Sequence, residues 1–108
     1  MARRQRKSEI SIPFNFTKPE DILSGRKTAT RRATGYGAKP GDTLLAGRTG
    51  RFRITAVYRQ QLGEMTEEDA KKEGCDSLKD FKALWQRMHP RLGWEDKWHV
   101  WVIEWSGL

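Results

Sequence analysis

Gly25-Arg26-Lys27-Thr28-Ala29-Thr30-Arg31-Arg32 sets a glycine ahead of a short, polar, β-branched stretch with four cations, and the rest of the chain is arranged around it. A strand built for packing alone alternates apolar and polar residues. Here the two-residue strand period puts Thr28, Thr30 and Arg32 on one face, a face of hydroxyls and guanidinium suited to a ligand or to water. Thr30 offers a weak nucleophile, Lys27 an amine for proton or charge management, and Arg32 a planar fork for phosphate or carboxylate. Lys27 and Thr30 are three apart, so in a regular strand they point to opposite faces. They converge only if Lys27 sits in a turn before the strand, which Gly25 permits because it can take left-handed backbone angles.

Working outward toward the N-terminus, Pro19, Glu20 and Asp21 predict a short helix starting at Thr17 or Lys18 and closed by Gly25, with Ile22 and Leu23 inward. Ile10, Ile12, Phe14 and Phe16 alternate as a strand, which Pro13 consigns to an edge or a bulge. Residues 1–9 read as a mobile basic arm, either a frayed terminus or an added attraction for RNA.

Toward the C-terminus, residues 33–41 form a glycine-rich loop in which Tyr36 either stacks on a base or packs on its own loop. Lys39-Pro40-Gly41-Asp42 is a turn before a strand at residues 43–46. A second turn at residues 47–50 then leads into the alternating Phe52, Ile54, Ala56 and Tyr58, a hairpin signal. Thr66 caps a short acidic-first helix ended by Gly74, leaving Glu73 at the negative end of the helix dipole. The residues alone read Glu73 as a solvated carboxylate. Ser77 caps a longer helix with Leu78, Phe81, Leu84, Trp85 and Met88 on one apolar stripe, stopped by His89-Pro90. The last strand, Trp98 to Trp105, is apolar on both faces and predicts a central strand covered on each side.

At 108 residues, 36% hydrophobic and 32% charged, the chain reads as one folded domain over residues 10–108 with five Trp to fill a modest core. The net charge of +7 is uneven: residues 1–60 hold 14 Lys and Arg against 4 Asp and Glu, while the remainder hold 7 against 10. That asymmetry favours an anionic partner near the octet. A single Cys75 excludes an internal disulfide, and its neighbour Asp76 argues against a reactive thiolate. With no apolar run long enough for a membrane and no leader-like segment, a cytoplasmic protein is expected. His89 and His99 lack partners at ligand spacing, so neither a metal nor another cofactor is expected.

The Gly-x-Lys-x-x-x-x-Arg pattern at Gly25, Lys27 and Arg32, followed by Lys39-Pro40-Gly41-Asp42 and Glu68-Asp69-Ala70-Lys71-Lys72-Glu73-Gly74, resembles the ASCH domain, across about residues 12 to 105. Asp21 to Thr30 is similar to the Asp-Ile-Leu-x-Gly-x-Lys-Thr-x-Thr run of the small bacterial amidohydrolases that deacetylate N4-acetylcytidine. The resemblance implies an α+β fold, a small mixed β-barrel of the PUA-like type with about three helices. It implies Thr30 as nucleophile, Lys27 as its activator or as oxyanion stabiliser, and Glu73 as proton shuttle to the leaving N4 amine. Arg32, with Arg31, Tyr36 and Gly25, would bind the acylated nucleoside, and no obligate protein partner is implied. The chain departs from the pattern at Arg31, where those amidohydrolases carry an apolar residue, and in a glycine-rich rather than acidic loop after Arg32.

Two other functions compete with the amidohydrolase. One is an RNA-binding PUA-like module in which Lys27, Arg31, Arg32 and Tyr36 grip phosphate and base without chemistry, and the other is a ribonuclease.

Overall fold

The computed structural model describes residues 8–108, and over them the chain runs β1 (Glu9–Ile12), α1 (Pro19–Leu23), β2 (Ala29–Arg32), β3 (Thr43–Ala46), β4 (Gly50–Gln61), a single 3-10 turn (Leu62–Glu64), α2 (Glu67–Lys72), α3 (Leu78–Met88) and β5 (His99–Gly107). Most of the expected basic arm, residues 1–7, lies outside the described residues, and Glu9 already belongs to β1. The five strands form one mixed sheet in the order β1-β3-β4-β5-β2, with only β1 and β3 parallel. The architecture is α+β, with three α-helices around a curled, barrel-like sheet.

Local sequence accounts for most boundaries. Pro13 supplies no amide hydrogen for a ladder, and β1 stops at Ile12 instead of continuing to Phe16 as the alternation suggested. Pro19 opens α1 and Gly25 follows it at φ +83°. Adjacent helix residues point about 100° apart, and only one of the two faces the sheet: Ile22 is buried, whereas Leu23 is 63% exposed, contrary to expectation. Thr66 and Asp69 close a reciprocal capping box on α2, and Ser77 caps α3 by accepting from the Asp80 amide.

β5 lies between β4 and β2 and divides two cores. Ile103 and Trp105 face Ile12, Ile22, Leu44, Ala46 and Ile54. Val100 faces the other way, toward Leu62, Met65, Ala70, Phe81 and Trp85. Alternation along β5 thus serves two apolar layers at once. β2 is left as the outer strand beside β5, with Thr30 opposite Ile103 and Arg32 opposite Trp101.

Candidate active site

Lys27 stands before β2, not in it. Its amide donates to the Asp21 carbonyl at 2.8 Å, and it forms an isolated antiparallel bridge with Glu73. The Thr28 amide donates to the Lys72 carbonyl at 2.7 Å, so the end of α2 is pinned to the lead-in of β2. This settles the parity problem: Lys27 is free of the strand period, and it reaches the same cavity as Thr30.

Glu73 caps the C-terminus of α2 and is 6% exposed, so it is not a solvated carboxylate. Its Oε1 accepts from Lys27 Nζ at 2.7 Å, and its Oε2 accepts from Arg31 NH1 at 3.0 Å. The Lys27 ammonium also donates to the Glu73 carbonyl at 3.2 Å. An ammonium has three donors, so one is left for the cavity. Two cations at this carboxylate outweigh the modest penalty of a negative group at a helix C-terminus.

Thr30 is 3% exposed, and its Oγ1 accepts from Arg32 Nε at 2.9 Å. Because Arg32 donates, the threonine keeps its own hydrogen available to a base. Arg32 NH2 also donates to the Pro13 carbonyl at 2.6 Å, and its guanidinium lies 5.0 Å from the centroid of the Phe14 ring. Lys27 Nζ is 5.9 Å from the same ring, which Trp105 meets edge-on. Phe14 therefore gives both cations an apolar, π-rich neighbour.

These groups line a cavity of about 180 Å³. One wall is polar, with Lys27, Thr30, Arg31, Arg32 and Glu73; the other is largely apolar, with Phe14, Phe81, Leu84 and Met88. His89, at the end of α3, also lines the cavity and packs on Trp85, with ring centroids 4.1 Å apart and planes tilted by 40°. Burial first, and then the Arg32 charge, hold its imidazole below the usual histidine range. The arrangement combines a hydroxyl, an amine–carboxylate pair and fixed positive charge, a set suited to acyl transfer.

The other residues expected at the site are placed differently. Arg31 lines the cavity, but its donors turn to Glu73 and to Gln60, whose Oε1 accepts from Nε at 2.9 Å. Tyr36, at φ 56°, and Gly25 are outside the cavity lining. Phe14, Leu84, Met88 and His89 were read only as strand, stripe and helix stop; the α3 stripe and the His-Pro stop carried the signal that this helix end is fixed, but not what it faces. Burial leads in raising the Cys75 thiol, with the Glu73 carboxylate next, whereas the sequence pointed to Asp76. Among the described residues, no group of three or more His, Cys, Asp or Glu is arranged to hold a metal ion, and no helix is long and apolar enough to cross a membrane.

The fold is that of a small domain of the ASCH type. The structure superposes on the ASCH domain of Lactobacillus crispatus JV V101 with a TM-score of 0.67 and 19% identity, covering 92% of this chain and 79% of that one. It also matches a protein of Enterococcus faecalis V583, with a TM-score of 0.56 and 18% identity over 100% of this chain and 79% of that one. No family model matches the sequence. A curated relative is the N(4)-acetylcytidine amidohydrolase of Klebsiella pneumoniae (strain 342), 38% identical over 96 residues that span 82% of this chain and 89% of the relative. The chain belongs to the N(4)-acetylcytidine amidohydrolase family.

Proposed function

We propose that the protein is an amidohydrolase that removes the acyl group from N4-acetylcytidine or a related acylated nucleoside. Thr30 is the nucleophile, Lys27 its activator and Glu73 the acid and base for the leaving N4 amine. The observation that carries this reading is the Lys27–Glu73 pair, 2.7 Å apart in the wall of the cavity that Thr30 also lines. The activity in the relative's name supports the substrate class.

The ion pair makes a proton relay available. Glu73 takes a proton from Lys27, and the resulting amine takes the proton of Thr30 as its Oγ bonds to the acyl carbon. Entry of an apolar acyl group expels water and favours the first transfer, because two separated charges become two neutral groups. The tetrahedral oxyanion forms beside the restored Lys27 ammonium and the Arg32 guanidinium. As the carbon–nitrogen bond breaks, Glu73 returns its proton to N4 and cytidine leaves. Water then attacks the threonine ester, giving up a proton to Glu73, while Thr30 regains its own from Lys27 and the carboxylic acid departs. A cavity of about 180 Å³ is smaller than the roughly 300 Å³ floor for whole drug-sized ligands. It therefore takes the acylated edge of the base and leaves the ribose outside, past Phe16, which is 58% exposed.

Burial argues against a module that merely grips phosphate: Lys27 and Arg31 are 5% and 2% exposed and already committed to Glu73. A cytoplasmic setting is part of the proposal, supported by the lone Cys75.

The test follows loss of N4-acetylcytidine absorbance with purified protein and with Lys27→Ala, Thr30→Ala and Glu73→Ala. Wild-type turnover is expected, with Glu73→Ala slower by about 10²–10⁴-fold and Thr30→Ala inactive yet still binding substrate. Wild-type inactivity, with RNA binding that survives Thr30→Ala, would replace the enzyme with a binding module.

A further inference from the structure

The Arg31 guanidinium is the most deeply buried charge at the site, with 0% side-chain exposure against 6% for Lys27 and 4% for Glu73. A buried cation is tolerated only when its donors are matched by anions or good acceptors. Its three nitrogens reach three side chains. Nε donates to Gln60 Oε1 at 2.9 Å, NH1 donates to Glu73 Oε2 at 3.0 Å, and NH2 lies 3.4 Å from Asp69 Oδ1, outside hydrogen-bond alignment.

The partners are themselves fixed. Gln60 Nε2 donates to Asp69 Oδ2 at 3.3 Å, and the same carboxylate oxygen accepts from the Thr66 amide at 3.1 Å in the α2 capping box. Asp69 and Glu73 are four apart, so helical spacing sets both on one side of α2. Arg31 thus spans from the first turn of that helix to its C-cap, tied laterally to β4 through Gln60.

We propose that Arg31 is a positioning residue for the acid/base pair. By holding Oε2 of Glu73 it keeps Oε1 on Lys27, and Gln60 and Asp69 in turn hold Arg31. The carboxylate cannot rotate away from the lysine without giving up its second ion pair. The charge balance fits: Lys27 and Arg31 are met by Glu73 and Asp69, so the Arg32 guanidinium is left as the excess positive charge on the cavity wall. Burial first, and then the Glu73 charge, raise the Cys75 thiol. This assignment rests on the amidohydrolase reading for its kinetic consequence, but not for its geometry.

The experiment compares Arg31→Met, Gln60→Met, Glu73→Gln and the Arg31→Met/Glu73→Gln double variant on N4-acetylcytidine. Misplacing a catalytic group costs up to about a hundredfold, so Arg31→Met is expected to lose kcat on that scale with KM little changed. Gln60→Met loses less, in the same direction, and serves where Arg31→Met fails to fold. In the Glu73→Gln background, removal of Arg31 should cost nothing further, since Arg31 acts through that carboxylate. A raised KM with unchanged kcat, or losses that multiply in the double variant, would overturn the proposal. Where the wild type does not deacylate the nucleoside, the function fails separately, and the ¹⁵N signal of the Lys27 amine decides the geometry. A shift of that signal in Arg31→Met or Gln60→Met supports the positioning role, and an unmoved signal in both rejects it.

Discussion

A carboxylate at the C-terminal end of a helix is ordinarily a small liability, and in the sequence Glu73 looks like one that water relieves. Nothing near it in the chain indicates otherwise, because the compensating cations are Lys27 and Arg31, separated from it by 46 and 42 positions. Thr30 and Arg32 drew notice because polar residues occupied strand positions where packing residues belong, and with Lys27 they line one cavity. For Arg31 the type was visible but not the direction: its donors turn to Gln60 and Glu73. The asymmetry of the cluster makes a stability prediction. Glu73→Gln leaves two buried cations facing an amide, and breaking a buried pair this way costs about 3–5 kcal/mol. Lys27→Met removes one buried charge and leaves Glu73 bonded to Arg31, so its loss should be smaller. Urea denaturation midpoints of the two variants check the order; equal losses would mean that Arg31 does not support Glu73.

Elements were legible where punctuation was local. Pro19 and Gly25 bracket α1, Thr66 and Ser77 start α2 and α3, and the turn at residues 47–50 joins β3 to β4. Errors fell where neighbours decide: β1 ends at Pro13, β4 continues to Gln61 because β5 runs alongside it as far as His99, and Leu23 finds no partner. The bridge between Lys27 and Glu73 had no local signature at all. Gly74 is the joint that allows it. Its φ is +89°, and a Cβ there would sit 3.3 Å from the Cβ of Lys27. Gly74→Ala should therefore cost about 1–3 kcal/mol through backbone strain, and displace Lys27 from its carboxylate as well. A thermal unfolding scan beside a turnover assay reads both effects, and a fall in stability with unchanged kcat would separate the bridge from the chemistry.

For the whole molecule, charge and pH act through a few depressed or raised groups. Burial would raise the Asp69 carboxyl, but the Thr66 amide, Arg31 and Gln60 outweigh it and hold it below the ordinary aspartate range. His89 is held below 6.5. Both groups bind protons more weakly folded than unfolded, so each contributes stability that is present above its unfolded value and lost as pH falls through the folded one. Tyr58, raised to about 12 by burial and by its bond to Glu104, acts oppositely and loses its contribution as pH rises from 10 to about 12. The folded state should be most stable between about pH 6.5 and 10, with an acid limb that steepens below pH 4. Denaturation midpoints across that range test the profile, and Asp69→Asn should flatten the lowest part of the limb.

By itself the sequence determined the kinds of element, their caps and turns, the two-sided apolar character of β5 and the chemical groups on offer. Each of these depends on the conformational preferences of a residue and its near neighbours, or on a period of two or 3.6. Only the tertiary structure decided which groups meet. Folding α2 back onto the lead-in of β2 turned a surface-looking glutamate into a buried partner of Lys27, paired Arg31 with that same carboxylate, and set Phe14 and the end of α3 across the cavity from them. Those outcomes depend on burial and on charge pairing between segments far apart in the chain, where removal from water makes an unmatched ion costly and so selects the partners that local sequence leaves open.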